Sequence, residues 1–326
     1  MASTSYSHTT LLQTRLDSDL VYILVSLQYV TSRYVLPIIA IVGCTNNVLV
    51  LIVLSQPHYK KHVSCLYLRI LAVVDSIQLL VLIIITLREE AVAFIAWLGD
   101  PFCAIFTFLT SFIPKLSSWI VVAITSTRFI AVVFPLKAAA WTTFKSAKIY
   151  IMTLLVLLLG SNSPDFMYSR ASHREGRGMT CVMFFPFGGA KKYALVHTLA
   201  AFFVPFFFLL FLNASIFMSL GQRKKRTMEI RSANKETKED TNIMMMVMAV
   251  TVTYLILVVP YSVNFLLFSS FLGGGIIKNY FVQGILSYIG MLSHAMNCSI
   301  NFLLYFITCK RFRKDFMTFI FCREIR

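Results

Sequence analysis

The sequence predicts an all-α membrane protein: a bundle of seven transmembrane helices followed by a short amphipathic eighth. Three observations predict it. Of 326 residues, 58% are hydrophobic and only 13% charged. Globular chains run nearer about 45–50% apolar, so a soluble domain of this size could not bury the excess. Seven long apolar stretches recur along the chain, each near or above the roughly 20 residues that cross a bilayer as helix. Basic residues, finally, alternate between the segments that connect them.

The first stretch, 34–55, is nearly uncharged and carries Asn47. The second, 66–87, holds Arg69 near one end and Asp75 six residues further on. The third, 101–135, carries Lys115 and Arg128, and the fourth, 149–164, has no charge. The fifth, 193–220, and the sixth, 243–277, contain Pro205 and Pro260. The seventh, 280–308, is uncharged, and the basic amphipathic run after it supplies the eighth helix. These bounds divide the chain into a tail (1–33), a bundle (34–308) and a terminal helix with its tail (309–326).

Charge sets the orientation. With the N-terminus outside, the inner segments are 56–65, 136–148, 221–242 and 309–326. Together with Arg69 and Arg128 they hold 20 Lys and Arg against 6 Asp and Glu, while the outer side holds 9 against 7. Short cytoplasmic loops carry such an excess of cations. The net charge of +16 therefore reads as membrane orientation and not as nucleic-acid binding. The clusters QRKKR (222–226) and CKRFRKDF (309–316) suit anionic inner-leaflet lipid. The opening MASTSYSHTT has no cationic start and apolar core of a cleavable signal, so the first helix is expected to direct its own insertion.

Polar side chains are costly in hydrocarbon and mark functional sites, though helices also pack through small and polar residues alone. Asn47, Asp75, Ser117, Asn297 and Asn301 are the informative set. Asp75 near mid-membrane, with hydroxyl and amide oxygens from other helices, could complete an oxygen-lined site for a small hard cation. Position alone leaves that reading and simple interhelical hydrogen bonding both open. Cys103 and Cys181 share the oxidising outer side, where a disulfide is plausible. Cys322, behind the basic run, is a candidate palmitoylation site. Cys103 to Arg128 spans 25 residues, roughly 37 Å of helix, against roughly 30 Å of hydrocarbon. Arg128 therefore reaches the cytoplasmic interface.

Asn47 in NNVLVLIVL, Asp75 in LAVVD, Cys103 with Cys181, Arg128 in STRF, Pro205, Pro260 and NCSINFLLY (297–305) stand in one order and spacing. In that order the chain resembles rhodopsin-like G-protein-coupled receptors over about 35 to 322. FPLKAAAWTTFKSAKIYI, NSPDF (162–166) and FVPFFFLLFLN (203–213) further resemble invertebrate FMRFamide-type neuropeptide receptors. The chain departs from the family at five places. Thr127 stands where the family has an acid, Leu154 and Val258 where it has tryptophans, Asn213 where it has tyrosine, and Phe302 where it has proline.

The resemblance implies a plasma-membrane receptor with an extracellular peptide ligand, a heterotrimeric G protein inside, and arrestin as a further partner. It implies a sodium site at Asp75, Ser117, Asn297 and Asn301, and no other cofactor. It also implies that Arg128 is restrained by Asp240, with Asn301 and Tyr305 rearranging on activation. The ligand is expected to be a short amidated peptide with Phe and Arg, met by Glu89 and Glu90 at the outer mouth of the second helix. Trp97, Phe106, Phe184, Phe185, Phe187, Tyr261, Phe265 and Phe268 would surround it, with Thr110, Ser111 and Lys115 from the third helix. Lys115 would face Glu89 or a carbonyl. A chemosensory receptor for small environmental ligands is the alternative on the same fold. The six histidines form no metal-ligand spacing and no nucleophile motif occurs, which argues against an enzyme.

Overall fold

A computed structural model of the chain describes residues 22–23, 25–86, 90–174, 178–185, 189–227, 236–268 and 280–321. Among these residues, six helices are long and apolar enough to cross a membrane. They are α1 (Val25–Leu54), α2 (Val63–Thr86), α3 (Asp100–Val133), α4 (Phe144–Tyr168), α5 (Leu195–Gly221 within Gly189–Thr227) and α6 (Glu236–Phe268). The seventh apolar stretch forms α7 in two pieces, Tyr280–Ser299 and Asn301–Thr308, and Lys310–Ile320 is α8.

The first helix begins earlier than the expected start at residue 34. Its first turns hold Ser26, Gln28, Thr31, Ser32 and Arg33, which interrupt the apolar run. Thr31 is nevertheless buried, with its hydroxyl bonded to the Tyr288 hydroxyl of α7. A polar residue that finds a partner across the bundle extends the helix where hydropathy alone ends it.

Helix α3 is the axis. Of its apolar window 61% is buried, against 17% for α4, and it packs on α2, α4, α5 and α6. Pro114 and Pro260 lie inside α3 and α6 without ending either helix. Gly99 starts α3 from a left-handed backbone, φ 101°, that a side chain would strain. Gly43 of α1 leaves room for side chains of α2 and α7. A Cβ on Gly43 would lie 2.6 Å from Leu79 Cδ1 and nearer still to Ser299 Oγ.

Helix α7 opens at Ile300 although Phe302 replaces the family's proline. Two asparagines of α1 account for this: Asn46 Nδ2 donates to Ser299 O and Asn47 Nδ2 to Cys298 O, each at 3.1 Å. Those carbonyls would otherwise accept from amides four residues on in α7. Phe302 itself packs on Phe306, Phe312 and Phe316, and so seats α8 against the end of α7. Tyr59, in the turn between α1 and α2, donates to Asp315 of α8 at 2.9 Å, beside His58 Nε2 at 3.0 Å. Burial, and then the Asp315 charge, push the Tyr59 hydroxyl well above its ordinary range, so it remains a donor.

At the opposite end β1 (Ser169–Arg174) and β2 (Gly178–Met183) form an antiparallel hairpin. Cys103 at the start of α3 is bonded to Cys181 of β2. Asp100 adds a hydrogen bond from Ala171 N at 2.8 Å.

Candidate functional site

A cavity of about 110 Å³ lies between α2, α3, α6 and α7. Its polar lining is Gln78, Thr110, Tyr261 and His294, and the rest is apolar, Pro114 and Met291 included. Gln78 Nε2 meets His294 Nε2, and Tyr261 stacks on the His294 ring at 4.4 Å. Sequence reasoning had named Thr110 and Tyr261 here but missed Gln78 and His294. Gln78 lies one turn beyond Asp75 on α2, and the intramembrane polar rule that picked out Asp75 applies to it equally.

Several residues expected at the mouth stand elsewhere. Trp97 ends the short helix Glu90–Trp97, is 72% exposed and stacks on Phe94. An eight-residue helix on the rim turns this ring outward, as aromatic residues sit in membrane interfaces. Phe185 packs between Tyr168 and Tyr193, and Phe184 is exposed. Phe106 is half-buried. Glu89 and Phe187 lie outside the described residues, as do the side chains of Glu90, Phe265 and Phe268.

Lys115 meets a carbonyl oxygen, one of its two expected partners, but away from the ligand cavity. It is buried and turns away from the cavity, donating from Nζ to Asn162 Oδ1 of α4 at 2.9 Å. The same oxygen meets His197 Nε2 of α5 at 3.1 Å, so that nitrogen carries a proton. Asp165 on α4 is fully buried and accepts from the Tyr193 hydroxyl at 2.9 Å. Ser111 faces this cluster beside Asp165 rather than the cavity. The physical reason is helix rotation: 111 and 115 share one face of α3, and 110 and 114 lie a hundred degrees around from them.

Below the cavity, Asp75 is buried and accepts from Ser117 Oγ at 3.0 Å and Asn301 Nδ2 at 2.7 Å. Among the described residues Asn297 does not hydrogen-bond to it; that side chain is half-buried one turn before Asn301. Tyr254 of α6 donates to Ser118 of α3 at 2.6 Å, one turn below the buried Val258.

Arg128 is buried five residues before the end of α3. Beside it, Thr127 donates to Ile124 O and meets Ser64 of α2 at 2.7 Å, so the Ser64 hydroxyl is the donor between them. A neutral tie to α2 thus stands where the family has a charge. Tyr305 is buried against Phe312 of α8, 5.6 Å between rings. Asp240 lies on α6, but its side chain falls outside the described residues, and Cys322 lies outside them entirely.

The model of the family described as 7 transmembrane receptor (rhodopsin family) matches residues 46–305. The chain belongs to that family. It is therefore a class A G-protein-coupled receptor and not an enzyme. It is similar to the FMRFamide receptor of Drosophila melanogaster, 23% identical over 308 residues. That alignment takes in 88% of this receptor and 53% of the fly protein, about half its length. It is also similar to growth hormone secretagogue receptor type 1 of Sus scrofa, 22% identical over 84% of this chain and 76% of the relative. Cysteinyl leukotriene receptor 1 of Homo sapiens is 26% identical over 86% and 82%.

Proposed function

We propose that this receptor binds a short amidated peptide of the Arg-Phe-amide type and activates a heterotrimeric G protein. The proposed orientation has the N-terminus and the disulfide-linked hairpin outside a plasma membrane, and Arg128 and α8 inside. The observation that carries the ligand reading is the cavity between α2, α3, α6 and α7. It combines apolar walls with a few fixed neutral polar groups, the pattern of a pocket for an apolar peptide end. The similarity to a receptor named for FMRFamide supports the peptide class, and the cation preference of the inner loops supports the orientation.

In this reading Arg128 is held by Asp240 in the resting state, and the kink that Pro260 allows lets the inner part of α6 move. Anionic lipid meets the basic face of α8, and arrestin is a further partner at the same end. A sodium ion fits the hard oxygens of Asp75 and Ser117, with Asn297 and Asn301 beside them. When bound, it would neutralise the buried carboxylate and steady the resting bundle. Agonist affinity that falls when sodium replaces choline in the buffer is its mark.

Glu89 and Glu90 are proposed to pair with the ligand's arginine. A charge-assisted contact of about 1.5–3 kcal/mol predicts a loss of roughly ten- to a hundredfold in potency of an Arg-Phe-amide peptide. Potency is to be measured on Glu89→Gln and Glu90→Gln at matched surface expression. Wild-type responses from both variants would remove the glutamates from the site.

A further inference from the structure

One polar atom of the cavity has no partner. Gln78 is 5% exposed, and among the described residues its buried Oε1 has no hydrogen bond. The other end of the same amide is fixed, because Nε2 meets His294, which Tyr261 holds by stacking. An unmet acceptor in a low-dielectric pocket is costly until a donor reaches it. The remaining walls are Val81, Leu82, Ile85, Leu109, Ile113 and Met291 with Thr110 and Pro114, so among the described residues no charged side chain lines the cavity.

Resting on the peptide reading above, we infer that this cavity takes the ligand's C-terminal carboxamide and that Gln78 selects amide over free acid. A primary amide carries donor and acceptor side by side, so it completes Gln78 whichever edge of that side chain faces it. A carboxylate brings acceptors only. It would set its charge against Oε1 with no cation in the lining, and Asp75 lies one turn of α2 away. An ammonium fares no better at the Gln78 end, since among the described residues the lining offers it no carboxylate and both Asp75 oxygens are already engaged by Ser117 and Asn301. The apolar walls suit the hydrophobic residue that carries the amide.

The test uses the purified full chain and three probes: N-acetyl-phenylalaninamide, N-acetyl-phenylalanine and phenethylamine. The amide is expected to raise the melting temperature of the wild type, and the acid and the amine to leave it unchanged. In cells, an amidated Arg-Phe peptide should exceed its free acid by at least about tenfold in potency. In Gln78→Leu that ratio should fall to about threefold or less. Should Gln78→Leu fail to reach the surface, Gln78→Glu preserves an acceptor and should keep the amide response while penalising the acid further. Stabilisation by the acid or the amine, no stabilisation by the amide, or an unchanged ratio in an expressed variant overturns the assignment. If no peptide activates the receptor yet the capped amide still stabilises it through Gln78, the peptide reading falls and the amide site stands.

Discussion

Cys103→Ser and Cys181→Ser are each expected to abolish ligand binding and nearly all surface expression. The bond joins residues 78 apart and ties the β1–β2 hairpin to the start of α3. Closing a loop of that length removes roughly 4–5 kcal/mol of unfolded-state freedom on the chain-entropy account. The other observed ties to α3 are single contacts, beginning with the Thr107 hydroxyl, which meets that of the buried Ser169 in β1. Asp100 to Arg170 is a half-exposed pair at 3.6 Å, and Ala171 N supplies a single hydrogen bond. Without the disulfide the hairpin is left with these hydrogen bonds and its packing on α3 and the Glu90–Trp97 helix, none of them covalent. The check is surface labelling and saturation binding of both variants, and normal binding by both would contradict it.

The second large effect belongs to the cluster that turned Lys115 away from the cavity. Asn162→Leu removes the acceptor shared by Lys115 and His197, leaving the buried cation without that hydrogen bond and with the nearby Asp165 carboxylate as its remaining charge partner. Removing one partner of a hydrogen bond to a charged group costs about 1.5–3 kcal/mol, which should lower the melting temperature of the purified receptor by several degrees. Adding Lys115→Met together with Asp165→Asn should return at least half of the loss, because well-packed neutral chains then replace both buried charges. A single variant that melts with the wild type, or a triple variant no better than the single, would show that the cluster does not hold α3, α4 and α5 together.

How much of this was legible in the sequence varies by residue. The helices were, because apolar runs of bilayer length have few other uses. Asp75, Ser117 and Asn301 were singled out by polarity and spacing, and they meet. Cys103 and Cys181 were legible for a similar reason, as the two cysteines placed on one outer side. Gln78 with His294, and Lys115 with Asn162, were not. Which residues face each other across helices depends on the rotation of each helix about its axis, and a break such as that at Ile300 resets the rotation of everything after it. NSPDF was read as a family mark, yet its first and fourth residues, Asn162 and Asp165, anchor the cluster that takes Lys115. The opening of α7 without proline was equally hidden, since its cause lies in Asn46 and Asn47, some 250 residues upstream in sequence and 3.1 Å away in space.

The central claim is that an amidated Arg-Phe peptide on one face drives a G protein on the other. Guanine-nucleotide exchange in membranes expressing this chain tests it most directly. The account predicts saturable stimulation by the amidated peptide and little by its free acid. It also predicts exchange without peptide that is higher in Asp240→Ala than in the wild type at matched expression. Exchange that no amidated peptide raises above membranes lacking the receptor, with Asp240→Ala unchanged, would contradict it.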